Sequence, residues 1–213
     1  MDRAGQLTSK AVSSPGRLLV LRHGQSEWNA ARRWQGQADI DLTETGRAQA
    51  RTAAERLANG FAAGFSAVIS SDLTRARDTA TIIASVTGLE LLAADPRLRE
   101  THVGEWQGLT HDEIERDWPG YLDTHRRPPG FESEDSILER VTASFADLSA
   151  RFADGNILVV SHAGIVRVLR RRLGAPDERI ANLGGSWFTV WPDRIQAGDL
   201  VDMTEHDEVG EEL

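Results

Sequence analysis

The chain has 213 residues, 40% of them hydrophobic and 27% charged, with no cysteine and a formal net charge of −9. That length suits one α/β domain with a full core. The lack of cysteine excludes disulfides, thiolate metal sites and a cysteine nucleophile, and the negative charge speaks against a nucleic-acid partner. No apolar run approaches the roughly 20 residues of a membrane span, so no membrane partner is expected and the expected location is cytoplasmic.

The first 16 residues, MDRAGQLTSKAVSSPG, are polar and rich in small residues, and read as a flexible leader. Leu18–Arg22 is short and continuously apolar until its end, the pattern of a strand buried on both faces. Thr43–Asn59 reads as a helix capped by Thr43 and stopped by Gly60. Ala67–Ser70 is a second strand. Leu73–Val86 is a helix with Ile82, Ile83 and Val86 inward, ended by Gly88. Leu89–Ala93 is a short strand and Thr110–Asp117 a short helix before Pro119. Glu134–Phe152 is a long helix with Ile137, Val141, Phe145, Leu148 and Phe152 on one stripe. Ile157–Val160 is a third core strand, and Ile165–Leu173 its helix. Trp187–Trp191 and Arg194–Val201 form a closing pair around Pro192-Asp193. The domain so delimited runs over residues 17–201. The last twelve residues, 202–213, form an acidic tail with six carboxylate side chains and no lysine or arginine.

Strands alternating with helices predict an α/β/α sandwich around a mostly parallel sheet. In such sheets ligands sit beyond the carboxyl ends of the strands. Arg22 and His23, the stretch Ser70 to Arg75, and Ser161 with His162 would then meet at one rim. A neutral imidazole is a nucleophile near neutral pH. Guanidiniums beside it suit a phosphoryl group and the charge on its oxygens. Gly24 allows close backbone approach, and the helix after His162 offers amides to an anion. The parts predict phosphoryl transfer through a covalent phosphohistidine.

The segment LRHGQSEWN resembles the R-H-G-x-[ST]-x-x-N signature of the histidine phosphatase superfamily, which has the phosphoglycerate-mutase-like fold. QGQADIDLTETGRAQA, SSDLTRARDTA, RLRETHVGEWQGLT and VVSHAGIVR follow in that family's order, so the resemblance spans about Arg17 to Trp191. It implies that His23 takes the phosphoryl group and that Arg22, Arg75 and His162 complete the phosphate pocket. It implies that Asn29 and the Ala163 amide are further phosphate donors, and that Gln35 and Gly36 close over the substrate. Glu100 matches the residue that protonates the leaving oxygen and then activates water; Glu113, Asp72 and Glu27 are the other acids in loops. Trp28, Trp34 and Trp106 either line a substrate cleft or pack. His102, His111 and His125 lack metal-ligand spacing and read as surface residues, and neither a metal nor another cofactor is implied.

Serine-hydrolase and P-loop chemistry are disfavoured by the absence of G-x-S-x-G and G-x-x-x-x-G-K-[ST]. A metal hydrolase is disfavoured by arginines beside the histidines, which would repel a divalent cation. A catalytically inactive phospholigand-binding module is the rival of another class, and a cofactor-dependent phosphoglycerate mutase the rival within the family. The short segment from Glu100 to Asp135, with its arginine pair at Arg126 and Arg127, favours a phosphatase. SSDLTRARDTA and RLRETHVGEWQGLTHDEI look closest to actinobacterial glucosyl-3-phosphoglycerate phosphatases but are shared with broad-specificity phosphatases, which implies a small phosphorylated metabolite as substrate, either glucosyl-3-phosphoglycerate or a broad range of phosphate esters. Edge-strand dimers among such relatives make a homodimer a further expectation.

Overall fold

A computed structural model describes residues 15–61, 64–152 and 155–204. Apart from residues 15–16 and 202–204, the expected leader and tail lie outside the described residues. The strands are β1 (Gly16–Arg22), β2 (Phe65–Ser70), β3 (Glu90–Leu91), β4 (Asn156–Ser161), β5 (Gly184–Val190) and β6 (Ile195–Asp202). The helices are α1 (Glu27–Ala30), α2 (Glu44–Arg56), α3 (Thr74–Thr87), α4 (His111–Asp117), α5 (Glu134–Arg151) and α6 (Ala163–Arg172). The six strands form one sheet in the order β3-β2-β4-β1-β5-β6. β3, β2, β4 and β1 pair in parallel. β5 runs antiparallel to both β1 and β6, closing the sheet as a hairpin.

Alternation along the central strands divides the core into two layers. Leu18 and Val20 of β1 and Ile157 and Val159 of β4 pack with Ile137, Val141 and Phe145 of α5 and Ile165 and Leu169 of α6. Leu19, Leu21, Leu158 and Val160 point the other way, toward Ala53 and Ala54 of α2 and Ala76, Ala80 and Ile83 of α3. Both faces of the sheet are covered, which is why these strands read as unbroken apolar runs. A third, separate cluster of Val103, Trp106 and Ile114 gathers Trp34, Leu109, Trp118, Tyr121, Leu122 and Phe131 around it.

Several elements differ from the sequence-based expectation. The helix after Thr43 is α-helical only to Arg56 and continues as a π turn from Leu57, with the helical backbone broken at Gly60, where the sequence placed its stop. α3 turns Arg75, Ala76, Thr79, Ala80, Ile83 and Ala84 inward. Val86 is 43% exposed, because the buried stripe lies one position off the apolar one. Leu89–Ala93 contains only a two-residue strand, β3. α6 begins at Ala163, two residues early, with His162 at its N-cap. α1 is a four-residue helix not anticipated, made by a capping box between Ser26 and Asn29.

Phe145 is fully buried, with its ring 5.8 Å from that of Phe188. Phe145→Ala should cost about 3–5 kcal/mol in equilibrium urea unfolding. Val86→Ala, on the exposed side of α3, should stay within about 0.5 kcal/mol of the parent.

Candidate active site

The carboxyl ends of β1, β2 and β4 lie side by side, so the polar residues that follow them share one rim. The backbone there is fixed from several directions. His23 N donates to Ser161 O at 3.1 Å, and Ser161 Oγ donates to Leu98 O at 2.8 Å. Gly24 N donates to Thr79 Oγ1 at 3.1 Å, and Thr79 Oγ1 donates to Arg75 O at 2.7 Å. A Cβ on Gly24 would collide with the carbonyl oxygen of Gly46 in the first turn of α2, so glycine is required at this crossing.

His23 is 3% exposed. Its Nδ1 lies 2.6 Å from Gly24 O, and Arg75 Nε lies 3.2 Å from its Nε2. A carbonyl can only accept and a guanidinium can only donate. The proton therefore sits on Nδ1, and Nε2 carries the lone pair. Burial, then the charges of Arg75 and Arg22, hold His23 well below the usual imidazole pKa, with the Gly24 carbonyl opposing. The ring is neutral at neutral pH, with its lone pair aimed at a guanidinium.

Arg75, on α3, is fully buried. Besides His23 it donates to Ala38 O at 2.7 Å and to Gly36 O at 2.8 Å, and so fixes the loop that carries Gln35 and Gly36. Gly36 has φ +51°, and a Cβ there would strike Val103. Arg22 donates to Ile180 O at 2.9 Å. Burial lowers both guanidiniums to a pKa of about 10, with Glu100 raising each; both remain charged at neutral pH.

The ring of His162 sits 5.2 Å from that of His23, at 64°. It is fully buried, and neither ring nitrogen has a hydrogen-bond partner among the described residues. Burial, then Arg75, push its pKa well down. Glu100 lines the same cleft, its carboxylate accepting from Thr101 N at 2.8 Å and Gly164 N at 3.1 Å. A side chain on Gly164 would occupy the space of that carboxylate. The other candidate acids are placed differently. Asp72 is held by Arg99 through two bonds of 2.7 and 2.6 Å, Glu113 caps α4 and binds Arg33, and Glu27 opens α1.

Arg22, His23, Asn29, Gln35, Gly36, Arg75, Glu100 and Ala163 all line one cleft of about 940 Å³; His162 is not among its lining residues, and its ring lies buried against that of His23. Asn29 Oδ1 accepts from Ser26 N at 3.2 Å and from Asn182 Nδ2 at 3.4 Å, and Gln35 Oε1 accepts from Ser26 Oγ at 2.7 Å. Both amide oxygens are thus engaged, which leaves the NH₂ groups to face an anion. The expected residues converge as a group. Sequence reading passed over Asn182, which also donates to His23 O at 2.9 Å. Its loop carries no local motif, and only the folded chain brings it there.

Beyond this inner end the cleft continues past Trp34, His125, Arg127, Phe131, Arg167, Arg171 and Asp177. Of the three tryptophans, Trp34 lines it. Trp106 is buried and packs edge-on against Trp34 at 5.2 Å and Phe131 at 5.9 Å. Trp28 lies against Gly108, outside the lining. His102, His111 and His125 are exposed, and no group of three metal-ligating side chains occurs among the described residues. Chemically, the inner end can hold a tetrahedral dianion between guanidiniums, amides and two neutral imidazoles. It can present both an unprotonated nitrogen and a carboxyl group to one ligand.

Residues 18–190 match the model of the histidine phosphatase superfamily (branch 1). The chain is 38% identical over 188 residues to a glucosyl-3-phosphoglycerate phosphatase of Mycolicibacterium vanbaalenii, covering 82% of each. It is 38% identical over 189 residues to phosphoglycerate mutase-like protein 4 of Arabidopsis thaliana, covering 85% of this chain and 80% of that one. The solved structure of mycobacterial glucosyl-3-phosphoglycerate phosphatase with VO3 superposes with a TM-score of 0.75 at 35% identity, covering 85% of this chain and 96% of that one. A match this long, over a fold that brings Arg22, His23, Arg75 and His162 to one rim, makes the chain a member of the histidine phosphatase superfamily and a phosphohistidine-type phosphatase of small phosphorylated metabolites.

Proposed function

We propose that the substrate is a phosphate ester carrying a second anionic group and a sugar-like body, of the kind represented by glucosyl-3-phosphoglycerate, met in the cytoplasm. The observation that carries this reading is Arg127. Three arginines of the outer cleft are paired: Arg33 with Glu113, Arg167 with Asp177, and Arg171 with Asp177 and Glu134. Arg127 has no carboxylate within ion-pair distance among the described residues. Its guanidinium lies 5.1 Å from the Phe131 ring and 5.6 Å from that of Trp106, and donates to Arg126 O. Burial, then Arg171, lower its pKa, with Glu134 opposing. A substrate carboxylate would answer this cation, and the adjoining rings of Trp34 and Phe131 offer an apolar wall to a sugar. Similarity to the mycobacterial phosphatases supports the same choice.

At the inner end, His23 Nε2 attacks phosphorus. The ester P–O bond breaks, and the leaving oxygen takes the proton of Glu100. The charge passing through the equatorial oxygens is met by Arg22, Arg75, His162, Asn29 and Gln35, and by the Ala163 amide at the start of α6. Arg75 Nε, which donates to Nε2 in the free enzyme, turns to a phosphoryl oxygen as that lone pair is used. Water then attacks the phosphohistidine and gives its proton to Glu100. The N–P bond breaks, inorganic phosphate leaves, and both groups return to their starting states. No step calls for a metal ion, and His23 and Glu100 together distinguish this reading from an inactive binding module.

His23→Ala should lose at least about 10³-fold in kcat. In rapid-quench labelling it should form no acid-labile, alkali-stable phosphoenzyme, whereas wild type should. Because His23 stays neutral far below the ordinary imidazole range, kcat/KM on p-nitrophenyl phosphate should hold as pH falls through about 6.5. A bend at that pH would mean an exposed, ordinary imidazole. Phosphate release from glucosyl-3-phosphoglycerate, mannosyl-3-phosphoglycerate, 3-phosphoglycerate and p-nitrophenyl phosphate tests the substrate reading. Arg127→Ala should lower kcat/KM about 10–100-fold on the carboxylate-bearing esters and leave the aryl ester nearly unchanged. Comparable rates on all four with wild type, or an Arg127→Ala loss shared by the aryl ester, would overturn it.

A further inference from the structure

The segment carrying Glu100 has little regular structure. A 3₁₀ turn at Pro96–Leu98 leads into an irregular stretch that ends at a second turn, Gly104–Trp106. Such a segment does not hold a carboxylate in place by itself. Arg140, on α5, supplies what is lacking. A guanidinium has five N–H donors in a fixed plane, and Arg140 makes five hydrogen bonds. Nη1 donates to Arg97 O and Arg99 O, both at 2.7 Å, and Nη2 donates to Glu100 O at 3.2 Å. Nε and Nη2 donate to the two carboxylate oxygens of Glu132, at 2.8 and 2.9 Å. The Arg140 side chain is only 17% exposed.

Glu132 extends the clamp past Glu100. Its Oε2 accepts from His102 N at 3.1 Å, its own N donates to His102 O at 2.8 Å, and its Oε1 accepts from Ser136 Oγ at 3.0 Å. One ion pair therefore grips the backbone on both sides of Glu100, at residues 97, 99, 100 and 102. Gln37 Nε2 adds a second donor to Glu100 O at 3.0 Å. Glu132 lines the cleft and Arg140 does not, but neither bonds the Glu100 carboxyl group, whose side chain projects from the gripped backbone to Gly164 N.

We propose that Arg140, locked by Glu132, is a positioning residue that sets the reach of the Glu100 carboxyl group toward the leaving oxygen. This rests on the reading of Glu100 as the acid. A lysine carries the charge on a flexible stem and cannot serve three carbonyls and a carboxylate from one plane. A misplacement of about 1 Å at the reacting centre can cost roughly 10²-fold.

The test compares kcat/KM on an ester that needs the acid with one that does not. An alkyl phosphate such as glycerol 3-phosphate expels a poor leaving group and requires its proton; p-nitrophenyl phosphate expels a stable phenolate. Glu100→Gln serves as the reference and should lose about 10²–10⁴-fold on the alkyl ester, and far less on the aryl one. Arg140→Gln should show the same sense of preference, losing about 10–100-fold more on the alkyl than on the aryl ester, with Arg140→Lys restoring only part. Glu132→Gln leaves the guanidinium and its three carbonyl bonds in place. It should give a smaller loss of the same sign, and it carries the test should the Arg140 variants not fold. Equal losses on both esters in folded variants would make the ion pair a support of the fold alone and overturn the proposal. An Glu100→Gln enzyme with no preference between esters would instead overturn the acid reading, and the clamp with it.

Discussion

The site depends on one buried guanidinium. Among the described residues Arg75 has no carboxylate partner in direct contact, and its charge is held by the carbonyls of Gly36 and Ala38 and the lone pair of His23. Carrying a cation into the interior is costly, and neutral acceptors recover only part of that cost. The folded protein without ligand therefore keeps an excess of positive potential at the end of its cleft. A phosphate dianion is the species that relieves it. The same residue fixes the tautomer of His23 and the position of the loop at Gly36, so charge, nucleophile and loop are set by a single side chain.

The two imidazoles belong to the same arrangement. Each is buried, and each is pushed toward its neutral form by burial first and by neighbouring guanidiniums second. Protonating either one would add a like charge to a pocket already holding two. Apart from that with Arg75, each bond around His23 uses the backbone on at least one side: its N donates to Ser161 O, Gly24 N to Thr79 Oγ1, and its Nδ1 to Gly24 O. The position of the reacting nitrogen thus follows from how β1, β4 and α3 pack, and less from loops that are free to adjust.

Much of this was legible in the sequence, for identifiable reasons. The central strands are covered on both faces, so each appears as an apolar run that ends abruptly in polar residues, and that abrupt ending marks the rim. Thr43 and Gly88 marked helix ends because their chemistry is local: Thr43 accepts from Gly46 N, and Gly88 takes φ +73°. The start of α6 was misplaced because His162 caps it with no side-chain bond. Val86 looked inward because apolar character and helix phase disagree by one position on α3. Asn182, Arg140 and Glu132 could not be read at all. Each works through carbonyls or amides thirty or more residues away, or through partners that only the fold brings near.

The separate cluster around Trp106 has a mechanical consequence. Its tryptophans, tyrosine and Phe131 pack among themselves, apart from the two layers that sandwich the sheet. The outer wall of the cleft, with Trp34 and Phe131, therefore has its own small core. Val103, packed on Gly36, ties that core to the loop held by Arg75. Loosening the aromatic cluster would slacken the cleft wall before it disturbed the packing that seats His23.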